Sequence, residues 1–539
     1  SVTAGAGNDS LVDTPTSYGT DTGAGGEVRG NYCTWNPLAK SSTASTFSNG
    51  NLDIVTPSSG GGNVFGTFAI PTSGKWYWEV TYVSGSTAMI GISPYSPTAN
   101  YQTVTGAIFY YTDGRKFISG SGTSYGASYT TNDVIGVAVD ADSGTITFYK
   151  NGTSQGAISA TVSELFPSLT DGSGAAGDSF ATNFGQRPFA YTAPSGFKAL
   201  CDTNLSAPVV AKPNEVMDVK LWTGNGTSQT ISGLGFSPDL VWLKQRNGTE
   251  WHGLFNTIVG ATTRLFSNST SAEATNTQTL TSFNSDGFSV GNTNEVNGSG
   301  NTYAAWCFDA GANTVSNTQG SITSQVRANA SAGFSTVAWT KSSAGAHSVG
   351  HGLGVAPQLV IVKSRSLASE WAVYHASLGA TKFLKLNTTD AAGTVSAYWN
   401  DTAPTSTTIS LGSWSNLAGD NIAYCFAPVA GYSSFGSYTG NGSADGPFVF
   451  TGMRPRWILI KASSIAGAWI LHDTARSTYN VMGNELRADL SDAEYQVDRF
   501  DLLSNGFKVR SSNSTLNASS ATYIYAAFAE SPFQYARAR

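Results

Sequence analysis

The sequence predicts an all-β protein made of tandem antiparallel sandwiches: one sandwich of its own kind, then three related copies of another. Three observations carry this reading. A proline-led strand motif recurs three times in the second half of the chain. Short alternating runs bounded by Gly, Asn, Asp and Pro replace any sustained 3.6-residue period, the pattern of half-buried strands rather than helices. The surface is supplied by hydroxyls and amides: 12% of the 539 residues are charged and 60 are glycine, where a globular chain usually has about 25% charged residues.

Taken in order, residues 1–39 read as an extended polar, glycine-rich segment that needs another surface to lie on. Residues 40–200 form the first sandwich. Its strand Trp76, Trp78, Val80 alternates with Tyr77 and Glu79, which gives one apolar and one mixed face. Asp140 to Gly144 is a turn between strands, and Lys150-Asn151-Gly152 is a hairpin turn in which Asn-Gly supplies positive φ. A linker containing Pro208 and Pro213 spans 201–215.

The three repeats follow at 216–310, 333–431 and 432–539, with a Gly/Ser/Thr/Asn/Ala-rich linker at 311–332. The landmark reads Pro238-Asp-Leu-Val-Trp-Leu-Lys244, Pro357-Gln-Leu-Val-Ile-Val-Lys363 and Pro455-Arg-Trp-Ile-Leu-Ile-Lys461. A spacing near 100 residues marks a repeated domain, not a solenoid unit of about 20–50 residues. Each copy then carries a tryptophan, Trp251, Trp371 and Trp469, and closes on an aromatic-rich strand ending in Phe308, Phe426 or Phe528. Cys307 and Cys425 sit at equivalent places in two closing strands, which predicts reduced, buried thiols and folding in a reducing compartment.

The first sandwich carries further ordered motifs: Gly74-Lys-Trp-Tyr-Trp-Glu-Val80, Met89-Ile-Gly-Ile-Ser93, Asp133 to Asp140, Gly144 to Gly152, Leu165-Phe-Pro-Ser-Leu169 and Asn183-Phe-Gly-Gln-Arg-Pro-Phe189. This series resembles the SPRY domain, a concanavalin-like sandwich of two antiparallel sheets. The resemblance implies a binding module that uses loops at one end and has no catalytic motif. The wider layout, from Gly7-Asn-Asp-Ser-Leu through Gly30-Asn-Tyr-Cys-Thr-Trp to Ala526-Ala-Phe-Ala-Glu-Ser-Pro-Phe533, resembles fibre-like structural proteins of tailed bacteriophages. That resemblance implies a virion tail fibre, assembled in the host cytoplasm. It would be a homotrimer joined to other tail proteins and would adsorb to a host-surface glycan or protein. A glycan-cleaving tail spike and a capsid-decorating head fibre are the alternatives.

Candidate ligand contacts are the loop aromatics Tyr95, Tyr101, Tyr110, Tyr111 and Tyr125, since tyrosine offers an apolar face and a hydroxyl at low entropic cost. Ordinary edge packing weighs equally against that role. The repeat tryptophans read as core before sugar platforms. Glu250 and Glu370 fall in separate repeats, whereas glycoside hydrolysis needs two carboxyls about 5–10 Å apart. His347 and His351 lie in a glycine-rich loop or strand and lack the fixed helical geometry of a zinc pair. No serine elbow or phosphate loop is present, so no catalytic residue, metal or cofactor is expected. The net charge of −6 without a basic run argues against nucleic acid, and no apolar run approaches a membrane span.

Overall fold

The structure, a computed structural model, describes residues 22–28, 30–40, 45–57, 63–96, 104–172, 177–343, 345–413 and 418–531. It is all-β, as predicted. Among the described residues the α-helices are three single turns of four residues, at Asn294–Asn297, Ser396–Trp399 and Ser514–Asn517. Two compact units divide at residue 207/208.

The first unit is a sandwich of two antiparallel sheets. One runs Trp35–Lys40, Val64–Gly66, Leu165–Asp171, Ala88–Pro94, Ile108–Tyr111, Arg115–Ile118, Ser121–Ser124. The other runs Thr153–Ser159, Thr145–Lys150, Val134–Asp140, Lys75–Ser84, Ser179–Asn183, Asp53–Val55, Thr46–Ser48. The inward faces share a core that includes Trp35, Trp78, Val80, Ile90, Val137 and Phe148. Residues 35–39, assigned by sequence to the extended segment, thus belong to the edge strand Trp35–Lys40. The mixed face of Lys75–Ser84 is also covered. Phe189 packs edge-on against Tyr77 at 4.9 Å, and Glu79 accepts the backbone N–H groups of Ala190 and Tyr191 at 2.7 and 2.9 Å. Asn151 and Gly152 both take positive φ, 48° and 77°, which the two-residue hairpin between Thr145–Lys150 and Thr153–Ser159 requires.

The second unit holds three sandwiches of one plan. The main sheets run Met217–Thr223, Thr302–Phe308, Leu240–Gln245, Gly253–Asn256, Gly260–Phe266 in the first copy, and Phe334–Lys341, Gly419–Phe426, Leu359–Ser364, Ala372–His375, Lys382–Lys385 in the second. The third copy runs Ser433–Thr439, Thr522–Ser531, Arg454–Ala462, Trp469–Asp473, Met482–Arg487. Register agrees as well as order: Leu240 opposes Phe308, Leu359 opposes Phe426 and Trp457 opposes Phe528. The segment 311–332 is more than a linker. Thr314–Asn317 and Ser324–Asn329 add two strands to the second copy's sheet, because Ser324 and Val326 alternate inward against exposed Gln325.

The three main sheets turn one face towards a common axis. Phe308, Phe426 and Phe528 meet there, with ring centroids 5.7, 5.3 and 5.8 Å apart pairwise. Leu240, Leu359, Trp457 and Trp242, Ile361, Leu459 belong to the same apolar cluster. Each copy's second core lies on the other face of its sheet; in the first copy it includes Val241, Leu243, Phe288 and Cys307. All four cysteines are buried free thiols. The three-fold association that the sequence placed between chains is therefore found within one chain. Each copy covers its axial face with the other two.

Candidate functional site

In the first unit, the five tyrosines do not form one cluster. Tyr110 is fully buried; its ring packs on Tyr129 and Phe148 and its hydroxyl donates to the Ala127 carbonyl. That position is core, because Ile108–Tyr111 turns its side chain inward. Tyr95 is half-buried, edge-on to Phe65 at 5.2 Å, and desolvation pushes its phenol up. Tyr101 lies outside the described residues. Tyr111 and Tyr125 are half-buried at an exposed edge, where the hairpin Arg115–Ile118 and Ser121–Ser124 projects. The Arg115 guanidinium stands over the rings of Tyr111 (5.5 Å) and Phe117 (5.0 Å) and pairs with Asp113 at 2.7 Å. Lys116 stands over Tyr125 at 5.4 Å, and the Tyr125 hydroxyl donates to the Gly156 carbonyl. Sequence reading found the aromatics but missed the two cations, Arg115 and Lys116, which directly precede Phe117 in the strand Arg115–Ile118.

In the second unit, the landmark lysines form a repeated device. Lys244, Lys363 and Lys461 are all fully buried, and desolvation pushes each down to about 8. Each ammonium clamps the loop that follows its strand. Lys244 donates to the carbonyls of Gln245 and Gly248, Lys363 to those of Ser364 and Leu367, and Lys461 to that of Gly467. Lys461 also reaches into the second copy, donating to the carbonyls of Thr389 and Asp390 at 3.1 and 2.8 Å.

The tryptophan position needs correction. The true equivalents are His252, Trp371 and Trp469. Their backbone N–H groups donate to Asn268, Asn387 and Asp489 at 3.1, 2.9 and 2.9 Å. Trp371 and Trp469 are buried and donate their indole N–H across to the neighbouring copy, to the carbonyls of Phe266 and Lys385, both at 2.8 Å. Trp251 is one residue out of phase and 44% exposed, resting edge-on against Phe266. Its offset of 13 instead of 14 from the proline was the signal.

A second ring of contacts runs closer to the axis. Asn256 donates to the Tyr424 hydroxyl at 3.3 Å, His375 to the Tyr525 carbonyl at 3.1 Å, and Trp306 to Asp473 at 2.9 Å. Thus the first copy meets the second, the second meets the third, and the third meets the first. All five histidines are buried with burial pushing each imidazole down, His347 and His375 to about 4. Glu370 is engaged by Asn387 and Lys385, and Glu250 stands in a different copy. Among the described residues, no three His, Cys, Asp or Glu side chains group as metal ligands would, and no helix is long and apolar enough to cross a membrane.

Comparison with known proteins follows this division. Residues 212–532 match the family described as Domain of unknown function (DUF7483), well over half of the chain. The chain belongs to the DUF7483 family. Ahead of the DUF7483 region, residues 75–187 match the SPRY domain. Ran-binding protein 10 of Danio rerio is 34% identical over 138 residues, which are 24% of this chain and 22% of that protein. Ran-binding protein 9 of Homo sapiens is also 34% identical over 138 residues, 24% of this chain and 19% of that protein. The chain thus matches about a fifth of the length of these curated relatives. The solved SPRY domain of human HERC1 is 23% identical, with a TM-score of 0.25, over 28% of this chain and 96% of that one.

These findings overturn the virion reading. The relatives are eukaryotic Ran-binding proteins, and nothing found points to a phage appendage. The tail fibre, the tail-spike and head-fibre alternatives, the virion location, the homotrimer, and the tail-protein and host-receptor partners are all corrected. The physical reason is that a charge-poor Ser/Thr/Asn surface and repeated sandwiches are properties of stacked β-domains in general. They carry no information about where such domains are displayed.

Proposed function

We propose that this protein is a non-catalytic protein-binding protein in which the SPRY sandwich recognises a partner and the three-copy DUF7483 unit is a stable carrier. The observation that carries the reading is the edge hairpin, where Arg115 and Lys116 are already held over aromatic faces. Cations pre-positioned on rings lose little side-chain entropy on meeting an acidic or aromatic partner surface. The non-catalytic part is supported by how the buried titratable groups of the second unit are used: its landmark lysines clamp loops, and His375 and Asp473 join copies.

The name of the SPRY relatives makes a Ran-type GTPase the first partner to test. Calorimetric titration of the whole protein against such a GTPase checks the reading. The double variant Arg115→Ala, Lys116→Ala should weaken binding about tenfold or more, as loss of interface anchors does, with an unchanged circular-dichroism spectrum. Unaltered affinity in that variant would remove the hairpin from the recognition surface.

A further inference from the structure

Each DUF7483 copy begins with the same strand, laid beside its closing strand: Met217–Thr223, Phe334–Lys341 and Ser433–Thr439. Register aligns them, because Met217, Phe334 and Ser433 oppose Phe308, Phe426 and Phe528. Every second residue turns its backbone N–H and C=O away from the closing strand. These outward residues are Val219, Leu221 and Thr223 in the first copy, Thr336, Ala338 and Thr340 in the second, and Phe435, Ser437 and Thr439 in the third. An uncovered row of such groups is a template for a further strand.

Two of the three rows are closed. In the second copy Ser324–Asn329 pairs with the row, Gln325 opposing Ala338 and Arg327 opposing Thr336. Asp239 of the first copy pins Arg327 at 2.6 Å, and Asp309 pins Asn329 at 2.8 Å. In the first copy Asp218 turns back to accept the Val219 N–H at 2.8 Å. Arg456 of the third copy reaches across the closing seam of the ring and holds Asp218 at 2.7 Å. Charge on an edge strand is a common block to further pairing. Asp239 and Arg456 both directly follow the landmark proline. One position of each of these copies therefore closes the edge of the next.

The third row has neither device. Only residues 427–432 precede it, against 309–333 before the second copy, too few to turn back as a strand. Ser433-Ser-Phe-Gly-Ser-Tyr-Thr439 holds no charge and no proline. Ser434 stands where Asp218 does, and its hydroxyl lies 3.3 Å from that of Tyr525 instead. The residue after the second copy's landmark proline is Gln358, half-buried, with no side-chain hydrogen bond among the described residues. Ser437 and Thr439 are exposed. Among the described residues, nothing bonds the N–H of Phe435, Ser437 or Thr439.

We propose that this open edge, Ser433–Thr439 with Gln358 beside it, docks an extended peptide segment of a partner protein as an added antiparallel strand. The site is separate from the SPRY edge and gives the carrier unit a recognition role of its own. The second copy supplies the geometry. Main-chain bonds to Phe435 and Ser437 hold the peptide, and alternate side chains select it. The residue facing Gly436 takes the place of Val326, which is buried against the second copy's outer core. Gly436 offers no side chain, and the Tyr525 ring lies so close that a Cβ there would come within 2.6 Å of its hydroxyl. An apolar residue fits that position. The residue facing Phe435 takes the place of Arg327 but meets Gln358, not a carboxylate. An amide or hydroxyl side chain suits it, and a cation gains nothing. The ligand is thus an uncharged strand with an apolar residue next to a polar one. A second copy of the chain is disfavoured, because pairing one seven-residue strand buries well under the roughly 1,200 Å² of a stable interface.

The probe is an end-blocked peptide of residues 321–330 carrying Arg327→Gln, mixed with the whole protein and followed by amide hydrogen exchange. At saturation it should slow exchange over 433–439 about tenfold or more, while 217–223 changes less than about threefold. Ser437→Pro removes one outward donor and no ladder bond, and should weaken peptide binding about tenfold or more. Should that variant disturb the fold, Ser434→Asp with Gln358→Arg, which installs the first copy's block, is judged by the same criterion. No protection at up to about 1 mM peptide, equal protection over 217–223, or unchanged binding in the folded variant would each overturn the proposal. So would a chain that dimerises through 433–439 without peptide.

Discussion

Replacing Lys461 with methionine should make the DUF7483 unit respond less to alkaline pH, and the size of the change follows from the structure. The Lys461 ammonium is fully buried and held at about 8 against an ordinary 10.5. That difference corresponds to about 3 kcal/mol against the charged form. Between these two values the unfolded lysine keeps a proton that the folded one has released, so stability rises with pH through that window. Integrated from about pH 7 to about pH 10, the rise for this one group is about 2–3 kcal/mol. Methionine keeps the apolar stem but abolishes the titration and leaves the carbonyls of Thr389, Asp390 and Gly467 without their donor. At neutral pH the two effects oppose one another, so the absolute difference there is a poor readout. The slope is a good one, because all other titrating groups are common to both proteins and cancel. Denaturant unfolding at several pH values in that range should show wild type gaining about 2–3 kcal/mol on Lys461→Met as pH rises. A constant or falling difference would mean that the lysine is not held in the buried, depressed state described here.

Other substitutions test the rest of the architecture. Phe426→Ala removes one ring of the axial triad and should cost about 3–5 kcal/mol in denaturant unfolding. Trp469→Phe keeps an aromatic ring but loses the pyrrole half of the indole with its donor to the Lys385 carbonyl, and should cost about 1–3 kcal/mol. Trp251→Ala, at a surface position, should stay within about 0.5 kcal/mol of wild type by the same measurement. Cys307 and Cys425 are fully buried, and desolvation pushes both thiols up, Cys425 to about 12. Both should therefore resist a thiol reagent in native protein and react only after denaturation.

Much of the fold was legible because it rests on local signals. Alternation in Trp76, Trp78 and Val80 marks a strand, and Asn151-Gly152 marks a two-residue hairpin. Three copies of one Pro-to-Lys strand mark three copies of one sandwich. What could not be read was whatever depends on the relation between copies. Phe308, Phe426 and Phe528 each look like the apolar end of a private closing strand, and nothing local says that their rings meet. The same holds for His252. Read alone, it is the residue after a tryptophan, and an alignment made on residue type prefers Trp251. Only the shared backbone bonds to Asn268, Asn387 and Asp489 fix the equivalence. The SPRY edge shows a similar limit. Tyr110, Tyr111 and Tyr125 are indistinguishable as composition, yet strand phase sends Tyr110 inward and leaves the other two beside Lys116 and Arg115.

The departure at His252 also bears on how such a ring is held together. If the three copies had kept identical seams, any one could open in place of another, and the chain would have no preferred order of opening. The first–second seam is tied by chain continuity and by Arg327 pairing with Asp239 at 2.6 Å, an added strand of the second copy anchored on the first. The second–third seam is tied by continuity and by Lys461 reaching across it. The closing seam lacks chain continuity; Arg456 of the third copy pairs across it with Asp218 of the first, and it adds the ionic chain from Arg246 to Asp473. Buried ion pairs add less net stability than apolar contacts of the same volume, but breaking one leaves an uncompensated charge and costs about 3–5 kcal/mol. A seam of that kind is either fully made or fully lost. It therefore closes the ring where no peptide link does, and its rupture would strand charges that an apolar seam would not.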